Sequence, residues 1–300
     1  MNRSKGTVLS VLFALVSVIS LTSCDQGTKN VTIRYKYVPG MNLAYQQITR
    51  GIEEVTDRET GKVIAKEYLV TTLDLTSSVR RVLEDSTAEI LVVRKWQQHC
   101  VDLLKKNSTD TVSKQPSANE PMLEYYKPNG RLVDITYASD TVESDLSYLK
   151  EYTKQGWPVF PDGEVGQGHS WTQTTTVVLP EGPVEASTTY SIKSFARERG
   201  YDCVIIEYDG VCIVPLPQRT GKEHKLLSGV DRVTSKGHMY FAYKEGFVVS
   251  LKERWTLESD RTVNRLVADT VNGYEAGDTI PMHVGLEYDV DFYLTNITMP

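Results

Sequence analysis

Apolar and polar residues alternate with a period of two along most of the chain, the pattern of strands with one face on a core and the other in water. Val31, Ile33, Tyr35 and Tyr37 alternate with Thr32, Arg34 and Lys36, and Leu69, Leu73, Leu75 and Val79 share one face of the next long run. Phe247, Val249, Leu251, Trp255 and Leu257 oppose Val248, Ser250, Lys252, Arg254 and Thr256. Leu286, Tyr288, Val290, Phe292 and Leu294 oppose Glu287, Asp289, Asp291 and Tyr293 in the clearest run of all. The pattern predicts a mostly β, antiparallel fold. One short helix is predicted between Thr141 and Gln155, with Asp140 as its cap, Glu143 at the third position, and Val142, Leu146 and Leu149 on one face.

The predicted hairpins recur. A strand over 67–82 turns at Glu84-Asp85-Ser86-Thr87 and returns through Ile90 to Val93; a strand over 184–196 turns at Arg197-Glu198-Arg199-Gly200 and returns through Val204 to Ile206, an offset of 113 to 114 residues. Tyr126-Lys127-Pro128-Asn129-Gly130 likewise matches Tyr243-Lys244-Glu245-Gly246 at an offset of 116. Gly40-Met41-Asn42-Leu43 stands in the same way beside Gly168-His169-Ser170-Trp171. Agreement in order and spacing reads as an internal duplication. The expected architecture is two tandem, half-barrel-like curved sheets: a first half over 24–155, a connector over 156–168, and a second half over 169–300. The connector contains Gly156-Trp157-Pro158-Val159-Phe160-Pro161-Asp162-Gly163, which regular structure does not accommodate. Asn107–Pro121 and Pro215–Gly229, polar and proline-bearing, are predicted as rim loops at corresponding places.

Ahead of the first strand, Arg3 and Lys5 precede an apolar run from Val8 to Leu21. That run is short of the roughly 20 apolar residues a helix needs to cross a bilayer. It ends in Leu21-Thr22-Ser23-Cys24, which resembles the lipobox of bacterial lipoprotein signal peptides. The resemblance implies cleavage between Ser23 and Cys24, a diacylglycerol on the Cys24 thiol, and an acyl chain on its new amine. The expected location is therefore the bacterial cell envelope, at a membrane surface, with the rest of the chain soluble. Several acyl chains, at about 0.8 kcal/mol per buried methylene, anchor stably where one does not.

Removing residues 1–23 takes away Arg3 and Lys5 and no acid, so the formal charge of −6 becomes −8. Such a surface repels nucleic acid and anionic head groups, so no nucleic-acid partner is expected. Cys100, Cys203 and Cys212 remain. In a hairpin turning at Asp209-Gly210, residue 203 faces 216 and 212 faces 207, so a Cys203–Cys212 disulfide is disfavoured against small buried hydrophobes.

Signatures of catalysis are absent from the sequence: no Gly-x-Ser-x-Gly, no His-Glu-x-x-His, no phosphate loop and no Cys-x-x-Cys. His169 and Ser170 are adjacent and would point to opposite faces of a strand. Glu287, Asp289 and Asp291 form an acidic row, but strand carboxylates two apart diverge by nearly 7 Å, which suits a solvated face better than a cation. Trp96, Trp157, Trp171 and Trp255 fit core packing or an aromatic groove. No catalytic residue, metal or cofactor is expected. The lipobox and long hairpins together resemble bacterial lipoproteins with half-barrel sheets, in general shape the carriers of the LolA/LolB kind. That resemblance implies a non-enzymatic lipoprotein holding a lipid or other amphiphile in an apolar groove. The alternative is a scaffold that binds an envelope protein through its rim loops or a sheet edge.

Overall fold

A computed structural model of the chain describes residues 29–104, 111–113, 120–139, 150, 153, 157–179, 182–216, 218–220 and 224–300. The lipobox residues Ser23 and Cys24 lie outside these, as do most of the Asn107–Pro121 loop and of the predicted helix, of which only Lys150 and Thr153 are described, both helical. The strands in chain order are β1 (Val31–Thr32), β2 (Asn42–Asp57), β3 (Val63–Val82), β4 (Ala88–Asp102), β5 (Thr111–Ser113), β6 (Met122–Tyr126) and β7 (Leu132–Tyr137). They continue as β8 (Glu164–Val165), β9 (Ser170–Leu179), β10 (Gly182–Glu198), β11 (Tyr201–Leu216), β12 (Arg219–Thr220), β13 (His224–Ala242), β14 (Phe247–Arg265) and β15 (Thr279–Thr298).

Thirteen of these strands form one antiparallel sheet in the order β7-β6-β4-β3-β2-β15-β14-β13-β11-β10-β9, with β5 beside β4 and β12 beside β13. The first predicted half contributes the run β2-β3-β4-β6-β7 and the second the run β9-β10-β11-β13-β14-β15, each with its strands in chain order. They meet at β15, which pairs with β14 on one side and with β2 on the other, so Leu294 lies opposite Tyr45 and Phe292 opposite Gln47. Among the described residues the sheet does not close, and β7 and β9 are its edges. The predicted tips are turns: Ser86 has φ 65°, Arg199 48°, Gly200 90°, Gly130 89° and Gly246 82°.

Two readings of the sequence change. Asp209-Gly210 is no turn; β11 runs straight through it, placing Cys203 opposite Ala242 and Cys212 opposite Val233. All three described cysteines are free thiols. Pro215–Gly229 is mostly strand, with Pro215 paired to Val230 and Leu216 to Gly229. Proline is tolerated there because β10 pairs with β11 only as far as Cys212, leaving Pro215 with a single neighbouring strand.

The main core lies on the inner face of the sheet, under two segments that cross it. One is Val31–Tyr37, whose alternation buries Val31 and Ile33 but of which only Val31–Thr32 is a strand, paired with Val165–Glu164. Beyond it, Tyr35 N–H donates to Pro128 O (2.7 Å) and Lys36 N–H to Gly246 O (3.1 Å), so the corresponding hairpin tips of the two halves grip one strap. The other is the connector, whose Phe160 is 2% exposed and donates its N–H to Asn129 O. Tyr35, Phe160 and Phe241 pack as a cluster: Phe160 meets Phe241 edge-on at 4.8 Å, and Tyr35 lies 5.2 Å from each. The connector is therefore part of the core. Proline and glycine break its regular hydrogen bonding while its large apolar residues find burial.

Candidate functional site

Cross-strand register builds the site one row at a time. Trp171, Tyr190, Tyr208, Gly237, Glu253 and Val290 are successive partners from β9 to β15 and share the inner face. Two residues further along each strand, the next row reads Gln173, Thr188, Gly210, Ser235, Trp255 and Tyr288. On the other side, towards the strap, the row is Ile192, Ile206, Met239, Leu251 and Phe292. Between the first two rows lies a cavity of about 260 Å³, lined on the strap side by Pro158, Met239 and Leu251 and on the far side by Cys212 and Val233.

Aromatic rings wall the cavity. Trp171 stacks on Tyr190 at 5.2 Å, Tyr190 lies 5.9 Å from Tyr208, and Trp255 stacks on Tyr288 at 5.5 Å. Gly237 lets the Tyr208 ring cross β13: a Cβ at this position would sit 2.6 Å from the Tyr208 hydroxyl and 2.4 Å from Lys252 O. Among the described residues, the Tyr208 hydroxyl and the Trp171 indole N–H are both buried and meet no hydrogen-bond partner. Such groups are rare in folded proteins and each calls for a reason. Burial pushes the Tyr190 hydroxyl up to about 12, so both tyrosines are neutral donors at physiological pH.

Glu253 is the one Asp, Glu, Lys, Arg or His among the lining residues. Burial raises its carboxyl above the usual range, and a hydrogen bond from Ser235 opposes that shift. Among the described residues no Lys, Arg or His forms an ion pair with it. A second cavity, of about 100 Å³ and lined by Tyr37, Leu43, Leu75, Ile90 and Val92 of the first half, differs in this respect. Its acid, Glu124, is paired with Arg94 and accepts a hydrogen bond from Tyr126 (3.0 Å).

The pH response of Glu253 follows from its direction of shift. A raised folded-state value means the folded protein holds a proton that the unfolded chain releases, so stability falls as pH rises above the ordinary glutamate range. Glu253→Gln is therefore expected to raise the melting temperature by a few degrees at pH 8 and to leave it unchanged at pH 4. Thermal unfolding at the two pH values checks this. A variant less stable than the parent at pH 8 contradicts an uncompensated Glu253.

The residues singled out in the sequence scatter across the molecule. Glu287 and Asp289 pair with Arg254 at 3.3 and 3.1 Å, and Asp291 with Arg50 at 3.4 Å, so the acidic row is a solvated, paired face. No group of three metal-ligating side chains comes together among the described residues. His169 packs its ring 6.2 Å from Trp171. Trp255 lines the cavity, Trp171 stacks behind it on the lining residue Tyr190, and Trp157 meets Phe292 edge-on at 5.5 Å in the core. Cys203 is fully buried in the core, whereas Cys212 lines the cavity, where burial raises its thiol.

Sequence reasoning missed Glu253, Tyr190, Tyr208 and Gly237. One signal was present: position 253 falls in the apolar register of Leu251, Trp255 and Leu257 and carries a carboxylate.

No protein-family model matches the chain, and no curated protein matches it either. Among solved structures, lipovitellin, from a study of lipid–protein interactions, is similar over 88% of this chain with a TM-score of 0.48 and 11% identity. The chain spans only 26% of the lipovitellin chain. An outer membrane channel from Pseudomonas putida F1 is similar over 87% of this chain and 97% of its own, at 9% identity and a TM-score of 0.26. OccK5 from Pseudomonas aeruginosa follows at 8% identity and a TM-score of 0.21, over 85% of this chain and 98% of its own. At these scores none of them assigns a function to this chain.

Proposed function

We propose that this chain is a non-enzymatic, lipid-anchored protein of the bacterial envelope that holds an amphiphile on the inner face of its second half. The observation that carries the reading is the aromatic-walled cavity of about 260 Å³ between β9 and β14. It sets aromatic and apolar side chains beside nearly as much polar surface, including Gln173, Thr188, Ser235 and Glu253, and small-molecule sites use such polar groups to fix a ligand's orientation against an apolar wall. Its volume, below the usual range of about 300–1,000 Å³, suits a small head group with part of one acyl chain. The test is native mass spectrometry of the chain purified from membranes, with a bound amphiphile as the expected result.

The anchor rests on the Leu21-Thr22-Ser23-Cys24 motif. Cys24→Ser is expected to move the protein from the membrane fraction to the soluble fraction, or to leave it unprocessed with residues 1–23 attached. Mass measurement of the N-terminal peptide distinguishes these from a processed protein that still sediments with membranes, the result that removes the anchor.

A further inference from the structure

We infer that the cavity takes a positively charged ammonium head group, with Glu253 as its counter-charge and Tyr190, Tyr208 and Trp255 as the aromatic walls around it. This rests on the amphiphile reading above and names the head group.

Three observations converge on it. First, the lining is electrostatically one-sided: its single charged residue is Glu253, with no basic side chain among the lining residues to balance it. Burying a carboxylate without a partner is costly, and folded proteins neutralise such groups by protonation or by a cation. Here Ser235 supplies a neutral hydrogen bond, and among the described residues no basic side chain is paired with the carboxyl. The first-half cavity is the internal contrast, because its Glu124 has its own Arg94.

Second, the rings stand where a cation benefits from them. Tyr190 and Tyr208 lie 5.9 Å apart in the same row as Glu253, and Trp255 follows Glu253 two residues along β14. The faces of tyrosine and tryptophan attract cations within about 6 Å of the ring centre, and aromatic walls beside a carboxylate are how proteins recognise substituted ammonium groups. Third, the Tyr208 ring is drawn over Gly237, the residue that separates Tyr208 from Glu253 in the row, and its hydroxyl stays buried and unpartnered. The Tyr208 ring therefore fills the space that glycine leaves, which carries its unpartnered hydroxyl across β13 towards Glu253 in the same row. Met239, Leu251 and Pro158 continue the wall with apolar surface on the strap side, where an attached chain is accommodated.

The test is calorimetric titration of the purified full-length chain with four probes below their micellar concentrations: octyltrimethylammonium, octyl sulfonate, neutral octyl glucoside and tetramethylammonium. The inference predicts that octyltrimethylammonium binds at least tenfold more tightly than the sulfonate or the glucoside. It also predicts that Glu253→Gln removes most of that preference for the ammonium probe over the glucoside. Thermal unfolding of Glu253→Gln confirms that the variant is folded. If all three octyl probes bind equally, or if Glu253→Gln retains the preference, the head-group assignment is overturned and the groove reading stands. If tetramethylammonium binds as tightly as its octyl counterpart, the attached chain is irrelevant and the amphiphile assignment is overturned. If no probe binds, both fall.

Discussion

Phe241→Ala is expected to destabilise the protein by about 3–5 kcal/mol, the usual cost of removing a fully buried aromatic side chain. Phe241 is completely buried, and its ring is met edge-on by both Tyr35 of the strap and Phe160 of the connector. Neither of those segments has a full set of strand partners, so their attachment to the sheet depends on this cluster more than on hydrogen bonds. Edge-to-face pairs of this kind contribute about 0.5–1.5 kcal/mol beyond the area they bury. The loss therefore exceeds that of an aliphatic truncation elsewhere in the core. Equilibrium urea unfolding measures it; a loss below about 1 kcal/mol would show that the strap and connector do not lean on Phe241.

The second large effect belongs to a hairpin tip. Gly246→Ala meets two separate obstacles. The residue has φ +82°, a conformation that costs an L-residue roughly 1–2 kcal/mol. In addition, a Cβ there would stand 2.4 Å from the backbone nitrogen of Lys36 and 2.7 Å from its Cβ, so the strap must lift away. Lifting it breaks the Lys36 N–H to Gly246 O bond, which adds about 1 kcal/mol. A total of about 2–3 kcal/mol follows from these terms. Gly200 is the control, since it has φ +90° with nothing within 4 Å of an added Cβ. Gly200→Ala is expected to cost only the backbone term. Equal losses in the two variants would mean that the hairpin tip does not hold the strap.

How far the sequence disclosed this molecule depends on the range of the interaction. Alternation and turn chemistry are local, and they placed the Glu84–Thr87, Arg197–Gly200, Lys127–Gly130 and Lys244–Gly246 tips, the face of β15 and that of β14 from Leu251 onward; before it a bulge sets Val248, expected on the opposite face, against Phe241 in the core. The pairing of β15 with β2 is not local: Leu294 and Tyr45 are far apart in the chain, and periodicity defines a strand's face without naming its neighbour. Asp209-Gly210 misled because Asp-Gly is a strong turn signal. Gly210 serves the sheet differently, since an added Cβ would stand 2.8 Å from the Ser235 hydroxyl and 2.9 Å from that of Thr188. It makes room on the inner face rather than reversing the chain.

The candidate site was less legible. Its residues come from five strands, and only their register brings Tyr190, Tyr208 and Glu253 into one row. Glu253 left a trace as the polar residue in an apolar register; the tyrosines left none, because aromatic residues are ordinary strand formers.

Native mass spectrometry of the membrane-purified chain beside Cys212→Trp decides whether the cavity on the second half holds an amphiphile. The indole of the variant projects from a lining position into the space between Ala186 and Val233. The account predicts a bound mass of a few hundred daltons on the parent chain and its loss from a folded Cys212→Trp protein. A parent chain that carries no bound molecule, or a variant that binds as the parent does, contradicts it.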